Sequence, residues 1–172
     1  MTAGREDLVV TVQGARFRGR RLPCSVGRGG IVAAAAKREG DGATPAGIWR
    51  LCWLYWRADR GLRPRTLLSA RMLGPRQGWA EDPEDPAYNR PILHPHPRPA
   101  DRMTRGDGLY DVCVVTDHNA DGVPDMGSAI FVHHWRRPRW PTAGCVAFAP
   151  ADLAWILARW TPRSRLVVRA PA

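Results

Sequence analysis

Lysine is almost missing from this chain. Lys37 is the only one in 172 residues, although the formal net charge is +10. Arginine carries the positive charge, scattered from Arg5 to Arg169 with no basic helix and no nucleic-acid motif. That pattern argues against a nucleic-acid partner; a surface for carboxylate-rich or polyanionic polymers and a merely solvated, arginine-biased surface both remain open. No apolar run approaches the ~20 residues that cross a bilayer. The first twenty residues, MTAGREDLVVTVQGARFRGR, hold no continuous apolar core, so no export signal is expected. Cys24, Cys52, Cys113 and Cys145 form no C-x-x-C pair, which argues against a zinc knuckle. Neither a repeat nor a linker interrupts the chain, so one domain is expected over residues 1–172, with no cofactor.

Glycine (17) and proline (16) are abundant. They favour short strands and many turns over a helical bundle. LVVTV (8–12) reads as a first strand, and ARFRGRRLPCSV continues the alternation up to the turn GRGG. IVAAAA (31–36) suits strand or helix, and residues 37–47 read as a polar, glycine-rich loop. IWRLCWLYWR alternates as a long strand or hairpin arm. Residues 74–106 carry too much proline for a helix or a central strand and are expected to be an ordered excursion over a site. LYDVCVVTD (109–117) and SAIFVHH (128–134) read as strands. Leu153, Ile156, Leu157 and Trp160 form one helical stripe, with Pro150 and Asp152 in the first turn and Pro162 as the stop. RLVVRA closes the chain as a strand. The reading is a mainly β fold with one packed C-terminal helix.

The chemistry concentrates in SAIFVHHWRRPRWPTAGCVAF (128–148). An apolar strand ends in His133, and twelve residues on comes Cys145, closing the run Thr142-Ala143-Gly144-Cys145. A thiol needs a base or a positive charge beside it to become a thiolate, and an imidazole serves. Gly144 leaves the backbone N–H groups around Cys145 open to a substrate carbonyl. Cys24, Cys52 and Cys113 sit among apolar neighbours and read as buried small hydrophobes. Cys145 follows Gly144 in a loop and is expected to face solvent. His133 and His134 point to opposite faces of their strand, and alternation alone does not choose between them as the base.

This segment resembles the active-site signature of L,D-transpeptidase (YkuD-type) catalytic domains. GDGATPAGIWRL (40–51) resembles the family's Gly-Asp-Gly-x-Thr-Pro-x-Gly strand, and PAYNRP (86–91) and GLYDVCVVTDHN (108–119) resemble segments of a divergent bacterial branch. The resemblance is strongest over residues 22–169. It implies a mixed β-sandwich or barrel-like fold and peptidoglycan cross-linking through a Cys145 thioester. In that scheme His133 is the base, held by the His134 backbone carbonyl, and stem peptides are donor and acceptor. It also implies inhibition by carbapenems and a place in the cell envelope or periplasm, the latter in tension with the absent export signal. Thr142, Ala143, Gly144 and His134 are the implied substrate or oxyanion contacts; the loop aromatics Tyr88 and Trp140 are further candidates to line the groove, or else packing anchors. Two departures stand out: Ala143 replaces the usual His, and the His-to-Cys spacing is short. Water as acceptor would instead give a carboxypeptidase or endopeptidase, and an inert Cys145 a non-catalytic wall-binding module.

Other candidates read as structural. Asp117–Gly122 resembles the start of a calcium loop, but Ser128 stands at its twelfth position and Pro124 interrupts it, so a turn is expected. His94, His96 and His118 have no patterned carboxylates, so no metal is expected. Trp49, Trp53 and Trp56 read as core.

Overall fold

The computed structural model describes residues 3–171. The chain opens with β1 (Leu8–Thr11), β2 (Gly14–Phe17) and β3 (Arg20–Leu22). The sequence suggests that β2 and β3 continue as one strand. Instead they form a hairpin, because Arg18 and Gly19 both take positive φ (45° and 82°), the two-residue turn that matches strand twist. β4 (Ile31–Ala33) runs into a 3-10 turn at Ala34–Ala36, so the ambiguous alanine run is strand first and helix second. β5 (Thr44–Trp49) and β6 (Leu51–Trp56) split the expected long strand at Arg50 and enter different sheets.

The proline-rich stretch is ordered, as expected, and holds short strands that its composition did not indicate. After β7 (Ser69–Met72) it contributes β8 (Gln77–Ala80), β9 (Pro91–Leu93) and β10 (Ala100–Arg102), a small sheet in the order β10-β8-β9. β9 and β10 are edge strands paired only to β8. There Pro91, at the first position of β9, removes no central ladder bond. The chain then forms β11 (Val112–Thr116), β12 (Phe131–His134), β13 (Val146–Phe148), α1 (Pro150–Leu157) and β14 (Leu166–Val168).

The larger sheets run β3-β2-β1-β14-β5-β4 and β13-β12-β11-β6-β7. Leu8, Val10, Phe17 and Leu166 of the first meet Leu54, Val114, Val132 and Val146 of the second. α1 completes that core with Leu153, Ile156 and Leu157, each at most 1% exposed. Burying each such side chain contributes roughly 1.5–3 kcal/mol. Trp160 lies just beyond the helix, buried against Phe17. The fold is thus mainly β and sandwich-like with one helix near the C-terminus.

Strand alternation gives the five-stranded sheet a second buried face. Tyr55, Cys113, Val115 and Phe131 pack there against Trp79 and Met103 of the small-sheet region. Register places His133 beside Cys113 and Ala147 on that face, while Val132 points into the main core. The small sheet therefore covers the face on which His133 lies.

Candidate active site

Cys145 ends the loop that enters β13, the parallel neighbour of β12. Its expected solvent exposure is not what the fold produces: the residue is 7% exposed. Sγ donates to the Ala129 carbonyl at 3.0 Å and accepts from the Phe131 N–H at 3.4 Å. Burial pushes the thiol up to about 12. Cys24 and Cys113 are buried as expected, Cys52 is only half-buried, and all four cysteines are free.

His133 is 5% exposed, with the Tyr110 ring edge-on at 5.2 Å. Its Nδ1 lies 2.7 Å from the His134 carbonyl oxygen. A carbonyl only accepts, so Nδ1 carries the hydrogen and Nε2 keeps its lone pair. Burial lowers the imidazole to about 4, partly offset by that carbonyl. In the free protein both groups are therefore neutral, a thiol and an imidazole rather than a preformed ion pair.

Both residues line one pocket of about 420 Å³, together with Arg28, Arg105, Tyr110, Arg136 and Trp140. Thr142 and Ala143 form part of its wall. Arg105 is forked onto Asp107 at 3.1 and 2.8 Å, and Arg136 reaches the same carboxylate at 3.5 Å. Trp140 is 44% exposed, with the Arg137 guanidinium 3.7 Å over its ring. His134 is partly buried, and its N–H donates to the Leu109 carbonyl. Tyr88 does not join the pocket wall; it is 3% exposed and its hydroxyl donates to Glu39.

The Cys145 loop is locked from two sides. Thr142 Oγ1 donates to the Cys145 carbonyl at 2.6 Å and accepts from the Gly144 N–H at 3.1 Å. Gly144 has φ +142°, and a Cβ there would sit 3.0 Å from the Ala43 carbonyl oxygen. A side chain is therefore excluded both by conformation and by space. Across the molecule, fully buried Thr44 accepts from the Gly27 N–H and donates to the Gly144 carbonyl, both at 2.8 Å. The two motifs separated in sequence are thus one hydrogen-bonded unit. Thr44→Val keeps the shape and strands both backbone groups. It should destabilise the fold by about 2–4 kcal/mol, read by urea denaturation. A loss below about 1 kcal/mol would mean that Thr44 does not hold the loop.

Asn89 is a second hub that residue patterns alone did not single out. Its Oδ1 accepts from Trp79 Nε1 and from the Ala129 N–H, and its Nδ2 donates to the His118 and Asn119 carbonyls. Ala129 is thereby held at φ 52°, and its carbonyl is the group that meets the Cys145 thiol. The only sequence sign was the PAYNRP resemblance. Elsewhere, Asp117 binds Arg50 and the Asn119 side chain closes a turn on Val123 and Gly127, as expected for a β-turn. No cluster of three potential metal-ligating side chains occurs among the described residues.

A buried thiol, an oriented imidazole and a wall of guanidinium groups suit acyl transfer from a carboxylate-bearing peptide. Comparison with curated proteins and with solved structures found no match. A family model described as the L,D-transpeptidase catalytic domain (YkuD) matches residues 5–168, nearly the whole chain. With the joined motifs and the β-sandwich-like architecture, that match establishes that the chain belongs to the L,D-transpeptidase catalytic domain family.

Proposed function

We propose that the protein is a peptidoglycan L,D-transpeptidase that works through a Cys145 thioester. The observation that carries this reading is the shared pocket, in which the oriented His133 imidazole and the Cys145 thiol meet one cavity. His133 Nε2 takes the thiol proton as Sγ attacks the carbonyl carbon of the donor stem, and returns it to the leaving amine. The backbone N–H groups of Ala143 and Cys145 stabilise the oxyanion, since that of Gly144 is already given to Thr142 Oγ1. Arg28 and Arg136 meet donor carboxylates, and Trp140 offers an exposed ring at the pocket wall. An amine of a second stem then resolves the thioester and leaves a cross-link. The envelope is the compartment where that substrate lies.

Mass spectrometry of muropeptides incubated with purified protein tests the reading. Cross-linked dimers are expected. Products shortened by hydrolysis alone would make it a carboxypeptidase or endopeptidase, and unchanged muropeptides would overturn catalysis.

The charge state of the site sets its pH dependence. A base acts only when unprotonated, and burial holds His133 at about 4. The acid limb of kcat/KM is therefore expected near pH 4, well below the ~6.5 of an ordinary histidine. Stability follows the same shift. The unfolded imidazole binds its proton first, so this residue's contribution is present above about 6.5 and is lost as pH falls towards 4. A pH–rate profile with its acid limb between 6 and 7 would show instead that His133 is not the buried neutral base.

A further inference from the structure

Cys145 borders a second pocket, of about 350 Å³, whose lining adds carboxylates to the Arg28 and Arg105 it shares with the first. Glu39, Glu81 and Asp101 converge there with Ser128. Two of the three carboxylates have hydroxyl donors. Tyr88 donates to Glu39, and Tyr110 donates to Asp101 at 3.1 Å. Glu81 is different: burial, then the negative charges of Asp101 and Glu39, oppose its ionisation and raise it to about 7, and only Arg105 eases it. Arg105 is forked onto Asp107 and also lies 3.7 Å from the Asp101 carboxylate, which leaves Glu81 without a guanidinium partner of its own. Arg28, on the wall common to both pockets, is exposed. An independent sign of a ligand comes from Ser128. It is 7% exposed, lines this pocket, and its Oγ has no hydrogen-bond partner among the described residues. A buried hydroxyl without a partner is costly unless something fills the pocket.

We propose that this second pocket seats the acceptor amine, its primary ammonium held by Glu81, Asp101 and the Ser128 hydroxyl beside Cys145, in the pocket that His133 does not line. The proposal rests on the thioester reading above and adds the residues that select the acceptor. Clustered carboxylates in a partly desolvated pocket attract a cation, and an ammonium supplies three donors to neutralise them. An ammonium has no lone pair for attack, so one proton must leave first. It passes to the Glu81 carboxylate. The freed amine attacks the thioester carbon, the C–N bond forms, and the C–S bond breaks. The departing thiolate then takes the amine's second proton. The outcome is an amide, a restored thiol, and one proton released from Glu81 to solvent.

The test uses the full chain, a stem tetrapeptide as donor and a stem peptide with a free side-chain amine as acceptor. Acyl-enzyme formation is followed by intact mass, and cross-linked and hydrolysed products are quantified as the acceptor concentration varies. Glu81→Gln and Asp101→Asn should each raise the acceptor concentration for half-maximal transfer about tenfold or more, the scale of a lost charge-assisted hydrogen bond. Product should move from cross-link to hydrolysis while acylation slows by less than about threefold. Glu81→Asp should recover part of the transfer. An unchanged ratio of transfer to hydrolysis in both variants overturns the acceptor pocket and leaves the thioester reading intact. Acylation that falls as much as transfer also overturns it, since the carboxylates would then serve the donor or the fold. A wild-type protein that forms no acyl-enzyme overturns the thioester reading itself. If Glu81→Gln does not fold, Asp101→Asn carries the same outcomes.

Discussion

Cys145→Ala should take up no carbapenem and form no cross-link, while the wild type gains a single adduct. The intact-mass shift reads this directly, because acylation adds the whole drug to one sulfur. Loss of the nucleophile leaves no route to the thioester, so the expected effect is complete, not partial. The substitution also removes the partner of the Ala129 carbonyl and of the Phe131 N–H. Both contacts involve sulfur, a weak donor and acceptor. Removing them should cost about 1 kcal/mol and leave a cooperative fold. Cys113→Ala is the matched control. Cys113 is fully buried on the same face beside His133, so its loss should lower Tm more than that of Cys145 and spare the adduct. An adduct on Cys145→Ala would place the nucleophile elsewhere.

The second large effect falls on His133. His133→Ala should slow acylation about a hundredfold or more, the usual scale for a lost general base. His134→Ala should cost much less. The group it contributes to His133 is a backbone carbonyl, which every substitution at that position retains. The strand geometry makes the pair decisive. His133 lies on the face with Phe131 and Cys113 and lines the pocket with Cys145, whereas His134 belongs to the opposite phase of β12. Time-resolved intact mass on the three proteins separates them. A slow His134→Ala beside a fast His133→Ala would overturn the assignment of the base.

Local pattern was enough for several elements. β1 and β11 are short apolar runs, and α1 repeats its apolar residues at helical spacing; the burial of Leu153, Ile156 and Leu157 follows from that spacing alone. The Thr142-Ala143-Gly144-Cys145 signature and the Gly-Asp-Gly-x-Thr-Pro segment were likewise visible, as were the family and its mainly β class. Composition also indicated an ordered, helix-free stretch over a site at residues 74–106, but not its three short strands. Pro91 sits at an edge, and a count of prolines cannot tell an edge from a centre.

What the sequence by itself determined was the inventory: the nucleophile candidate, two candidate bases, the turn glycines and the apolar stripes, all set by neighbours within a few residues. Tertiary structure decided which of these meet. Thr44 reaches Gly144 across a hundred residues, and Asn89 fixes Ala129 across forty. Cys145 is buried by elements far from it in the chain, Tyr88 is drawn to Glu39 and away from the pocket wall, and Glu81 comes to lie beside the thiol only through the small sheet. The physical reason is that hydrogen-bond satisfaction and desolvation are properties of a packed volume, and that volume is assembled from chain segments whose separation leaves no trace in local periodicity.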